Sequence, residues 1–200
     1  MEADQRTVAI PIDAPIWSRF FVVAPLVIVG SREPDGGHDL APKHMAMPLG
    51  WQNFYCFACS PRHATQRNIE RTGQYTISFP RPGQIIQTSM AAGPREPDNS
   101  KPTLAALETF AAQTVDGVLV HGCSVWLECE LERIIGDFGE HSLIIGRVTA
   151  ASADERALRL SDGDDADMIY DSPLLAYLSP GRFASVSESF TFPYPADFKP

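Results

Sequence analysis

Between Leu40 and Ile69 the chain has no aspartate or glutamate, although acids outnumber bases 25 to 16 overall and the formal net charge is −9. The same window keeps Lys43, Arg62 and Arg67, with His44 and His63 beside them. Clearing anions from one stretch of an anionic chain leaves a local positive field, which suits a negatively charged ligand. The overall negative charge argues against a nucleic-acid backbone as partner. No apolar run is long enough to cross a bilayer; the most apolar stretch, residues 20–29, is short and interrupted by Pro25. The N-terminal MEADQRTVAI carries acids early and lacks a basic-then-apolar leader, so the cytoplasm is the expected compartment. Internal repeats and dividing linkers are also missing, so the 200 residues read as one domain, with a core over about residues 15–190.

Cysteine is scarce, with four residues at positions 56, 59, 123 and 129. Cys56 and Cys59 form a C-x-x-C, but in a strand residues three apart point to opposite faces, so the sulfurs diverge. A second close pair that would complete a zinc tetrahedron is lacking, so small buried hydrophobes are the simpler reading and no metal is expected. Cys59 nevertheless abuts a helix start where a phosphate could lie. The acidic run from Asp162 to Asp167 lacks the oxygen spacing and closing glutamate of a calcium loop and reads as a solvated turn.

What is present is mostly strand. β-Branched and aromatic residues dominate residues 17–23 and 26–31, and Glu33-Pro34-Asp35-Gly36-Gly37 is a strong turn, which pairs 26–31 with 38–46 as a hairpin. Pro42, without an N–H, argues for a sheet edge or bulge. Residues 54–59 and 74–79 read as strands, 85–90 as a short helix, and 93–101 as a loop, with plain surface favoured over a lid. Pro102, Leu104, Leu107 and Ala111 suggest a helix over 102–112. Residues 118–121 and 124–135 follow as strands, the second with Trp126, Glu128, Glu130 and Glu132 on a face expected to meet solvent. Residues 143–150 read as a buried strand, 167–170 as a short helix, and 174–178 with 183–186 as a last packing segment. The tail FTFPYPADFKP is expected to dock on the domain or on a second subunit. Many short strands with few helices favour a β-barrel with peripheral helices.

The strongest local pattern lies at Ser60-Pro61-Arg62-His63-Ala64-Thr65. Ser60 fits an N-cap, Pro61 the first helical position and Gly73 the left-handed terminator of a helix through ATQRNIERTG. Helix starts expose unpaired amides and the positive end of the backbone dipole, so phosphate binds there readily. The hydroxyls of Ser60 and Thr65 and the fork of Arg62 could complete a cradle. The plainer reading is a capped surface helix with a few cations.

The segments Asp39-Leu40-Ala41-Pro42-Lys43-His44 and Ser60-Pro61-Arg62-His63-Ala64-Thr65-Gln66-Arg67-Asn68-Ile69 resemble the flavin reductase-like family of FMN-binding split barrels. So do Gly139-Glu140-His141-Ser142 running to Gly146-Arg147-Val148, and Pro173-Leu174-Leu175-Ala176-Tyr177 followed by Gly181-Arg182-Phe183. The four blocks fall in the family's order. The resemblance implies a mainly β, FMN-binding split β-barrel with peripheral helices, and a homodimer with flavin at the subunit interface. It lays Ala41, Pro42, Lys43 and His44, with Met45 next to them, along the flavin ring and ribityl chain. This chain has Lys43-His44-Met45 where the family often has a small hydroxyl residue after the proline. The phosphate end would fall to Lys43, Ser60, Arg62, His63 and Thr65, with Cys59 adjacent. His141 would stand on the nicotinamide side, or else be a strand-start histidine bonded to a local carbonyl.

The expected activity is electron transfer from NADH or NADPH through bound FMN, or FAD, to a small-molecule or protein acceptor. The protein's part is then to bind and tune the cofactor, which requires no acid–base triad. A flavin carrier or storage module without turnover is the alternative. A pyridoxal-phosphate enzyme is a third reading, lowered because no lysine lies in a recognisable Schiff-base context. The lack of a G-x-G-x-x-G fingerprint leaves the choice of nicotinamide open.

Overall fold

The computed structural model describes residues 6–159 and 164–195. In chain order the elements are β1 (Val22–Pro25), β2 (Val27–Arg32), β3 (His38–Lys43), β4 (Ala46–Pro48), β5 (Phe54–Cys59), α1 (Ala64–Thr72) and β6 (Gln74–Phe79). There follow α2 (Ile85–Met90), β7 (Thr109–Ala111), β8 (Val118–Val120), β9 (Val125–Phe138), β10 (His141–Ala153), α3 (Asp165–Asp171), β11 (Leu174–Ser179) and β12 (Arg182–Val186). A seven-stranded antiparallel sheet in the order β3-β2-β6-β9-β10-β5-β4 curls into a half-barrel. A three-stranded sheet β1-β11-β12 and the pair β7-β8 complete it. Among the described residues no helix is long and apolar enough to cross a membrane.

β2 explains the layering. Residues 27–31 are all buried, because both faces of the strand are covered. Val27 and Val29 join Phe57, Ile69, Tyr75 and Ile144 in one apolar cluster, while Ile28 joins Leu40, Leu107 and Val120 in another. α1 closes the first cluster with Ile69, and two of its buried side chains bond across to the sheet: Asn68 Nδ2 donates to Ser31 Oγ at 3.2 Å and Gln66 Nε2 to Ser142 Oγ at 3.4 Å, while Gln66 Oε1 has no hydrogen-bond partner. Gly73 ends α1 with φ of 70°, its N–H bonded to the Ile69 carbonyl, as its left-handed geometry requires. β3 is a sheet edge, which is where Pro42 fits.

Several sequence expectations change. The strand expected from residue 17 starts at Val22, since its partner β11 ends at Ser179 and offers nothing to pair with earlier residues. Residues 102–112 are not an α-helix: a 3₁₀ turn over Pro102–Ala106 runs into β7. A 3₁₀ turn also places i and i+3 together, so the Leu104/Leu107 spacing fits it equally well. Beyond it Phe110 packs on Trp126, with centroids 5.8 Å apart, and pulls the chain into pairing with β8. Phe190 and Phe192 in the tail are exposed on this chain. The acidic run 162–167 lies partly outside the described residues, but Asp164 caps α3 by accepting from the Ala166 N–H at 2.8 Å.

The face of β9 read as solvent-exposed hides a buried carboxylate. Glu128 is 5% exposed and accepts from the amides of Gln113 at 2.9 Å and Thr114 at 2.5 Å, and from the Thr114 hydroxyl at 2.8 Å. Burial alone would raise its pKa; the donors on Gln113, Thr114 and Val115 together outweigh burial and hold it below the usual carboxylate range. A depressed folded pKa means that the stabilisation is complete above the unfolded value of about 4.3 and is lost as pH falls through the lower folded value. Glu128→Gln is therefore expected to cost about 2 kcal/mol in urea unfolding at pH 7, a difference that closes in acid. An equal cost at pH 7 and pH 3 would contradict this role.

Candidate functional site

A cavity of about 420 Å³ opens between β3, the start of α1 and the segment after α2. β3 supplies Ala41, Pro42 and Lys43; the turn before α1 supplies Arg62 and His63; Ala92, Arg95 and Lys101 close the far side. Five lining side chains are cations (Lys43, Arg62, Arg67, Arg95 and Lys101) against one carboxylate, Asp39.

Asp39 is 3% exposed and is compensated from three directions. Arg95 Nη2 lies 3.0 Å and Lys101 Nζ 3.2 Å from its Oδ1, and the Thr65 hydroxyl donates to Oδ2 at 3.3 Å. Lys101 also donates to the Leu40 carbonyl at 2.8 Å, and Arg95 also pairs with Glu33. Residues 93–101, expected as plain surface, are thus pinned over β3 and form one wall of the cavity.

The remaining cations are less engaged. Arg62 reaches Glu140 at 2.9 Å, but both side chains are about two-thirds or more exposed, so the pair is worth little in water. Arg67 donates to the Arg62 carbonyl. Lys43 has no ion pair among the described residues. His63 caps α1 without placing a side-chain acceptor on the first-turn amides. Burial and the neighbouring Lys43 lower its pKa, so at neutral pH it is an uncharged hydrogen-bonding ring.

The structure gathers Ala41, Pro42, Lys43, Arg62, His63 and Thr65 around this space, while Met45, Cys59, Ser60 and His141 do not line it. α1 begins at Ala64, not at Pro61, because residues 60–63 form a tight turn: the His63 N–H bonds the Ser60 carbonyl at 2.9 Å and the Arg62 N–H reaches Ser60 Oγ at 3.3 Å. Ser and Pro favour such a turn as much as a helix start. Ser60 is buried, with its Oγ accepting from the Arg62 N–H, and the Thr65 hydroxyl donates to Asp39. Cys59 is 1% exposed behind the turn; burial pushes its thiol pKa up against the pull of Lys43. All four cysteines are free and buried. Met45 is 52% exposed and lines neither this cavity nor the next. His141 opens β10 at the surface, outside the cavity lining.

His44 lies in a second cavity of about 410 Å³ that shares Pro42 and Ala92 with the first. There it packs on Tyr177, centroids 4.6 Å apart. Asp39, Arg67, Arg95 and Lys101 escaped the sequence reading as site residues. Arg95 and Lys101 sit 52 or more positions from Lys43 in a polar loop, and only the fold brings them back. Among the described residues no group of three or more His, Cys, Asp or Glu side chains could hold a metal ion.

The half-barrel thus carries a cation-rich cavity beside the start of α1. Residues 18–178 match the Flavin reductase like domain family, and the chain belongs to it. An uncharacterized protein of Methanothermobacter thermautotrophicus is 28% identical over 181 residues, covering 87% of this chain and 85% of its own. Component B of nitrilotriacetate monooxygenase from Bacillus cereus has a similar fold, with a TM-score of 0.79 at 18% identity, over 95% of this chain and 100% of that one. Flavoredoxin of Desulfovibrio vulgaris gives 0.74 at 21% identity, over 94% and 99%.

Asp39→Asn should leave Arg95 and Lys101 without their buried counter-charge. An expected loss of about 3 kcal/mol in stability goes with loosening of residues 93–101, read as faster tryptic cleavage after Arg95 under native conditions. Cleavage at the unsubstituted rate would show that Asp39 does not hold the loop.

Proposed function

We propose that this chain is an FMN-binding oxidoreductase of flavin reductase type. In this reading it takes electrons from NADH or NADPH and passes them through the flavin to a small-molecule or protein acceptor. The observation that carries the reading is the excess of cations in the first cavity over its one, already compensated, carboxylate. That donor set fits the phosphate of a flavin mononucleotide. Lys43, Arg62 and Arg67 are the groups that would hold it, with the uncapped first turn of α1 beside them. Ala41 and Pro42 offer a small, donor-poor backbone wall for a planar ring. FAD, with its longer phosphate chain, remains compatible with the same cations. When bound, the flavin supplies the two-electron chemistry, and the chain binds, orients and shields it.

His141, at the exposed start of β10, is proposed on the nicotinamide side. A homodimer is proposed from exposed apolar side chains around the barrel edge: Phe21, Val23, Met47 and Trp51, from 55% to 92% exposed. Met45 lies beside them and would reach a flavin only across such an interface. The tail with Phe190 and Phe192 is proposed to dock on the partner subunit. The chain is read as one domain working in the cytoplasm.

The flavoredoxin-like fold favours a second reading, a carrier without a nicotinamide site. Steady-state NADH and NADPH oxidation with FMN present separates the two, since a carrier shows little turnover. Arg62→Ala is expected to weaken FMN binding about tenfold by flavin fluorescence quenching while leaving riboflavin, which lacks the phosphate, unchanged. Equal effects on both ligands, or on neither, would remove Arg62 from the phosphate site.

A further inference from the structure

The second cavity has a lining unlike the first. Its walls bring together Leu26, Ile85, His44, Tyr177 and Phe183, with Arg182 among them and no carboxylate. His44 and Tyr177 pack with an interplanar angle of 39°. Burial and the nearby Lys43 lower the His44 pKa, so the ring is neutral and aromatic at pH 7. The Tyr177 hydroxyl accepts from the Gly181 N–H at 2.9 Å, which fixes the turn that delivers Arg182 and Phe183 to the cavity.

Two polar groups in this wall lack partners. Arg182 is exposed and has no hydrogen bond or ion pair among the described residues, whereas most other arginines near the cavities are bonded or paired. The Thr88 hydroxyl is buried without a hydrogen-bond partner, a state that native structures seldom leave unexplained.

We propose that the second cavity is a binding site for a small aromatic carboxylate, its ring against Tyr177 and Phe183 and its carboxylate on the Arg182 guanidinium. Flat apolar walls select a planar ring, and a guanidinium fork matches a carboxylate with two parallel hydrogen bonds. A cavity of about 410 Å³ suits a ligand of one or two rings. Because Pro42 and Ala92 belong to both cavities, such a ligand would lie directly against whatever fills the first. This binding does not rest on the flavin reading above.

The test uses the full chain, with and without added FMN, titrated calorimetrically with benzoate, cyclohexanecarboxylate, benzyl alcohol and nicotinamide. Benzoate is expected to bind at least about tenfold more tightly than each of the others. Arg182→Gln is expected to abolish the preference of benzoate over benzyl alcohol. Phe183→Ala should abolish its preference over cyclohexanecarboxylate. Failure of benzoate to saturate, parity between the two acids, or tighter binding of nicotinamide would each overturn the proposal, the last assigning the cavity to the electron donor. A chain that binds benzoate but not FMN would support this site and remove the flavin reading. One that binds FMN but not benzoate would do the reverse.

Discussion

One buried carboxylate holds the cavity together. Asp39 sits at 3% exposure on edge strand β3, and an isolated charge there would carry a prohibitive desolvation cost. Arg95, Lys101 and Thr65 remove that cost, and in doing so they tie three separate pieces of chain to one point. The loop is drawn over the sheet edge, and α1 is fixed against β3 through Thr65. The far wall of the cavity depends on this arrangement, with the Glu33 carboxylate and the Leu40 carbonyl adding to the hold on Arg95 and Lys101.

The same arrangement settles how the cavity's charges divide. Arg95 and Lys101 are largely satisfied by Asp39, Glu33 and the Leu40 carbonyl, so they act mainly as structure. Lys43, Arg62 and Arg67 are held by weaker partners or by a backbone carbonyl, which leaves their charge available. A dianionic group entering this space would meet preorganised positive charge at little reorganisation cost. Beyond Pro42 the lining changes to rings and aliphatic side chains around Arg182. The chain therefore presents two adjoining environments of different character that share Pro42 and Ala92.

Local patterns in the sequence were legible where local physics decides the outcome. The turn at residues 33–37 and the hairpin it closes, β5, β6, α2 and the Gly73 terminator all follow from alternation and turn chemistry, and all are present. The anion-free window likewise maps onto one wall of a cationic cavity. Where two local structures share the same signals, the reading failed: Ser60-Pro61 serves a turn before α1, and Leu104/Leu107 serves a 3₁₀ turn before β7. Long-range pairing was invisible. Glu128 looked like a solvent-facing residue because the amides of residues 113–115 that bury it are distant in sequence, and Arg95 and Lys101 were hidden for the same reason.

In the proposed reading Lys43, Arg62 and Arg67 beside α1 grip a phosphate as its dianion. Phosphorus NMR of FMN added to the protein tests this most directly. Free phosphate monoesters take up a proton near pH 6, so the unbound resonance moves between about pH 7.5 and 5. A separate bound resonance is expected, staying at the dianion position across that range. A bound resonance that titrates like the free nucleotide, or no bound resonance at all, would contradict it.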